Sequence, residues 1–180
     1  MRTIFLFLIS FLLLYVDISF TNISPIDVAG LNVYFVPKLL FMYILLLSYY
    51  LGLKWSVTTA LILGLMTDVY IGTIYGLHLF GFVLFVLFMN SAFRVFYRDY
   101  VTLFFVVIMN TFLFDTYIYL MYRVIGVIEM PVFDYFALRA VPSLLLNSIL
   151  YIPLLIVVII LSKIRKSVFN NRWLRKWTTL

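Results

Sequence analysis

Six apolar runs follow one another along this chain, at residues 4–20, 33–53, 55–71, 77–93, 100–122 and 136–161, and none holds more than one Asp, Glu, Lys or Arg. About 20 helical residues cross the ~30 Å hydrocarbon core of a bilayer. Backbone polar groups in lipid must be satisfied within the protein, so helices are the default spanning element. The expected fold is an all-α membrane protein of six transmembrane helices, with a polytopic domain over residues 1–162 and a tail over 163–180. The gap between the third and fourth runs is only Gly72 to Gly76, which also admits a re-entrant pair or one bent hairpin.

With 66% hydrophobic and 11% charged residues, against the ~25% charge of an ordinary soluble domain, there is no room for a soluble catalytic domain. The 180 residues include no cysteine and one histidine. Disulfides, thiolate ligands and a cysteine nucleophile are thereby excluded, and neither a metal site nor a cofactor is expected.

The net charge of +6 invites a nucleic-acid reading, and the distribution of that charge argues against it. Six of the thirteen basic residues, Lys163, Arg165, Lys166, Arg172, Arg175 and Lys176, follow the last apolar run directly. Phe169, Trp173 and Trp177 recur among them at four-residue spacing. This pattern predicts an amphipathic helix lying on anionic lipid at the cytoplasmic face. With the N-terminus inside, Arg2, Lys54, Arg94, Arg98 and the tail cations all fall on the inner side, and only Lys38, Arg123 and Arg139 fall outside. A 10 to 3 split supports an even number of spans with both termini inside. The first run follows Arg2 as a signal peptide would, but the bulky stretch Leu14 to Asn22 lacks a small-residue cleavage site, so retention as a first helix is expected.

An acid inside a span costs roughly 2.5 to 3.5 kcal/mol on insertion scales and therefore faces protein or a polar cavity. Asp68 stands between Gly64 and Gly72, one turn either side, with Gly76 and His78 following. Three readings fit: Asp68 holds the turn after its span through backbone amides near Gly72 to Gly76, the face docks a partner helix, or it binds a substrate or ion. His78 is placed to pair with Asp68, as an orienting contact in preference to a proton relay. Asp115 and Arg123 share a face two turns apart; Arg123 can snorkel outward, leaving Asp115 to pair with another helix. Asn110 and Asn147 are expected in interhelical hydrogen bonds. Asp17 is expected at the interface without a partner. Asp27, Glu129 and Asp134 read as solvated outer-loop acids, and Pro142 and Pro153 as kinks in the last helix. No metalloprotease, serine-hydrolase or phosphate-loop motif is present, and the dispersed acids form no evident catalytic pair.

The stretch Gly64-Leu-Met-Thr-Asp68, followed by Gly72, Tyr75-Gly76-Leu77-His78 and Gly81, in a chain of this length and layout, resembles the bacterial rod shape-determining protein MreD family. That resemblance implies a non-enzymatic inner-membrane subunit of the cell-wall elongation machinery, without catalytic residues. Its implied partners are an MreC-like bitopic membrane protein and also MreB, RodA and a class B penicillin-binding transpeptidase. The implied fold is similar to the six-helix substrate-binding components of energy-coupling-factor transporters. A different function stays open on the residues: a vitamin-type carrier component, its pocket built from Asp17, Asp68, His78 and Asp115 with Tyr34, Tyr70 and Tyr75.

Overall fold

The computed structural model describes the backbone of residues 2–28, 30–92 and 99–177, and side chains within 6–27, 30–91 and 99–161. Helix α1 spans Arg2–Ile23, α2 Leu39–Leu51, α3 Leu53–Tyr70, α4 Leu77–Ala92 and α5 Tyr100–Val124. A short helical turn, α6 (Val132–Asp134), runs through a π-helical stretch Tyr135–Ala140 into α7 (Val141–Trp177). Leu6–Ile23, Tyr100–Val124 and Val132–Leu161 are long and apolar enough to cross a membrane; Leu39–Leu51 and Leu77–Ser91 are shorter apolar helices.

Helix α2 is the axis of the bundle. Every residue from Leu39 to Leu47 is buried, and α1, α3, α4, α5 and α7 all pack on it. A helix that is hydrophobic all round suits such a fully enclosed position. The other helices bury one face and turn apolar side chains such as Leu12, Leu65, Phe105 and Ile149 outward, as lipid-facing helices would. Ser56 Oγ donates to Ile44 O at 2.8 Å and pins α3 to α2. Phe41 of α2 stacks on Phe114 of α5 at 4.3 Å, with Phe82 and Phe85 of α4 closing the cluster.

The second apolar run is not one helix from residue 33. An antiparallel hairpin pairs β1 (Ile26–Val28) with β2 (Leu31–Val33), and the chain stays extended until Leu39. Pro37 accounts for this, because the residue before a proline is pushed away from the helical region. The last run also differs. α7 continues unbroken through Trp177, past the expected end of the last run at 161. The tail residues Lys163, Arg165, Lys166, Phe169, Arg172, Trp173, Arg175, Lys176 and Trp177 carry side chains outside the described residues, as do Arg94 and Arg98.

Extended backbone inside an apolar bundle must find a partner for each N–H. Tyr34 N donates to Leu138 O at 2.8 Å, Phe35 N to Ser24 Oγ at 2.9 Å and Val36 N to Ser143 Oγ at 3.0 Å. Pro37 has no N–H, and Lys38 N donates to Asn147 Oδ1 at 2.9 Å. In return Ser143 Oγ donates to Tyr34 O and Asn147 Nδ2 to Val36 O, each at 3.3 Å. Ser143 and Asn147, one turn apart on α7, thus do the work of a neighbouring β-strand. Leu138 O is available because Pro142, four residues on, has no N–H to offer it.

Candidate functional site

Two acids, each on one helix, cap the start of the next. Asp17 near the end of α1 accepts Leu39 N on Oδ1 and Leu40 N on Oδ2, both at 3.0 Å, at the head of α2. Asp68 near the end of α3 accepts Gly76 N and Leu79 N on Oδ2 at 2.9 and 3.0 Å, and His78 N on Oδ1 at 2.8 Å, at the head of α4. His78 Nδ1 lies 3.0 Å from the same Oδ1. Free N–H groups and the positive end of the helix dipole make a helix start the best place in an apolar bundle to hold a carboxylate. Asp17 is therefore buried and doubly bonded, not interfacial and unpartnered; the helix it caps lies far along the chain, so its own flanking residues give no sign of this.

The glycines around Asp68 serve close approach and reversal. A Cβ on Gly64 would stand 2.6 Å from Leu79 Cα, so a side chain there would drive α4 off α3. Gly76 sits at φ +92°, which lets the chain turn back and present its N–H to Asp68. Gly72 packs on the Asp68 carbonyl, where a Cβ would lie 2.8 Å away. The structure thus gathers Gly64, Asp68, Gly72, Gly76 and His78 into one α3–α4 junction.

A second polar cluster unites three runs that hold a single charge each. Asp115 of α5 has Oδ1 at 3.6 Å from Lys38 Nζ and 3.5 Å from Arg139 Nη2. Its Oδ2 accepts Tyr135 Oη at 3.1 Å, and Tyr135 stacks on Tyr119 at 3.9 Å. Lys38 and Arg139 were not anticipated as site residues. The signal was present: solitary opposite charges in separate apolar runs have strong reason to find one another. Arg123 is not part of this cluster; its Nη1 donates to Tyr119 Oη at 2.8 Å, on the exposed end of α5.

The two asparagines behave differently. Asn147 holds the extended segment, as described. Asn110 does not reach another helix: its Nδ2 donates to Val106 O at 2.8 Å within α5, and its Oδ1 is buried without a hydrogen-bond partner among the described residues. In-helix bonding is the shorter route for a side chain whose own carbonyls are one turn away.

Both clusters border a cavity of about 180 Å³ at one end of the bundle, where α1, α3 and α5 finish and α2 and α4 begin. Asp17, Lys38, His78 and Arg139 are part of its polar lining, with Thr21, Thr67 and Thr73, and Leu14, Phe41, Phe82 and Phe114 are among its apolar walls. Tyr70 and Tyr75 are exposed, 69% and 78%, and Tyr34 lies elsewhere, so the aromatic wall suggested by those tyrosines does not form. A separate groove of about 410 Å³ runs on the outer surface between α4 and α5, lined by Leu84, Phe88, Leu113, Tyr117, Leu120 and Met121 among others. No cluster of three or more His, Asp or Glu suited to a metal occurs among the described residues.

A family model described as rod shape-determining protein MreD matches residues 1–165. No curated protein and no solved structure matches the chain.

Proposed function

Because the chain belongs to the MreD family of rod shape-determining membrane proteins, we propose that it is a non-enzymatic, six-span subunit of the bacterial inner membrane. In this reading it binds an MreC-like bitopic protein and helps organise peptidoglycan synthesis with MreB, RodA and a class B penicillin-binding transpeptidase. Both termini are cytoplasmic. The pairing of the partly buried Lys38 and Arg139 with Asp115 supports that orientation, since it accounts for two of the three cations that count against it.

The observation that carries the reading is how the motif spends its polar groups. The Asp68 carboxylate is occupied by three backbone amides and His78, an arrangement suited to building a helical hairpin and not to turning over a substrate. Partner binding then falls to the outer surface. The α4–α5 groove, almost wholly apolar along its lining, suits the side of a transmembrane helix, for which van der Waals packing is the main driving force in lipid.

The test is co-purification of the MreC-like protein with the tagged chain from native membranes, comparing wild type with Leu120→Trp, which fills the groove from an exposed position. Loss of the partner with an unchanged melting temperature supports the proposal; unchanged capture removes the groove from it. The carrier alternative is less well supported, because a cavity of about 180 Å³ falls below the roughly 300 Å³ at which pockets for vitamin-sized ligands begin.

A further inference from the structure

The cavity at the head of α2 is lined by charged groups of both signs. Asp17 is the acid on its lining, and both of its oxygens are already taken by Leu39 N and Leu40 N. Two cations, Lys38 and Arg139, face the same space. Their shared counter-ion is one oxygen of Asp115, at 3.6 and 3.5 Å, well beyond the ~2.7 to 2.9 Å of a charge-assisted hydrogen bond. Arg139 Nε has no hydrogen-bond partner among the described residues. Arg139 therefore holds a buried donor that no acceptor among the described residues takes up, and Lys38 is held only at 3.6 Å, which is costly in a bundle of this composition.

We propose that this cavity binds a phosphate group, with the Arg139 guanidinium and the Lys38 ammonium as its ligands. Arginine's planar fork matches two phosphate oxygens, and lysine adds a point charge from the side. The apolar part of the lining, with Leu14, Phe41 and Phe82, receives apolar atoms. A volume of about 180 Å³ is enough for a headgroup phosphate and its first carbons, since a cavity near 150 Å³ accepts a benzene. The combination fits the phosphate of an anionic lipid, whose chains would leave along the helices. This assignment does not depend on the partner-binding role.

The experiment uses the full chain in mild detergent and phosphate-free buffer, titrated with phosphatidylglycerol in mixed micelles and, separately, with inorganic phosphate. Bound phosphate is read by native mass spectrometry and by the shift in melting temperature. Arg139→Gln should weaken binding at least about tenfold, from the loss of charged hydrogen bonds, and Arg139→Lys should weaken it less. Arg123→Gln, which alters an exposed arginine outside the cavity, should bind as wild type. Binding of either probe that Arg139→Gln abolishes supports the site, and saturation by the lipid at concentrations where inorganic phosphate does not bind assigns it to a headgroup. Equal retention by wild type and Arg139→Gln, or no binding of either probe, overturns it. Should Arg139→Gln fail to fold, Lys38→Met carries the same test.

Discussion

Replacing Asp17 by alanine removes the acceptor for two buried donors at the head of the central helix. Leu39 and Leu40 are 7% and 2% exposed, so their N–H groups gain no ready substitute. An orphaned buried donor costs about 1 to 3 kcal/mol. The neighbouring cavity lets water reach the end of α2, which holds the sum for the pair near about 2 to 4 kcal/mol. For a chain of this size each kcal/mol moves the melting temperature by about 2 to 4 °C, so Asp17→Ala should melt about 4 to 16 °C below wild type. Asp17→Asn keeps one carbonyl oxygen and should fall between the two. The assay is thermal unfolding in detergent, followed by the loss of the monodisperse peak in size-exclusion chromatography. Glu129→Ala, at an exposed position, serves as control, since such surface changes stay within about 0.5 kcal/mol. A melting temperature for Asp17→Ala within about 1 °C of wild type would refute the capping argument.

Other substitutions probe the two clusters. Gly64→Ala should destabilise by about 1 to 3 kcal/mol, because its new methyl meets the Leu79 backbone and not a movable side chain; thermal unfolding in detergent measures it. Asp115→Asn should cost about 3 to 5 kcal/mol, as removing one partner strands Lys38 and Arg139 as uncompensated charges. By contrast Tyr135→Phe, which loses the hydroxyl contacts to Asp115 and Thr116 while keeping the stack on Tyr119, should cost about 1 kcal/mol in the same assay.

What the residues disclosed and what they withheld follow from the range of the interactions. Helical, membrane-embedded character is written in composition and run length, which need no knowledge of neighbours. Residues 64–78 were equally legible, because Asp68 and the amides it binds lie within eleven positions of one another. Contacts between distant segments were not. Lys38 N meets Asn147 across 109 positions and Leu39 N meets Asp17 across 22, and nothing local marks either. Pro37 was the one local sign that the second run starts extended. The charges were misjudged for a related reason: Lys38 and Arg139 count only as outer-side cations until the segments that carry them are packed against Asp115.

The most direct test of the account is affinity capture of the tagged full chain from its native membrane in mild detergent, with mass spectrometry of the proteins that accompany it. A shape-determining scaffold of this family should bring down an MreC-like bitopic protein or wall-synthesis enzymes, and Leu120→Trp should lose that partner while remaining folded. Recovery of folded protein accompanied instead by transporter ATPases and a bound vitamin would contradict the account and establish the carrier in its place.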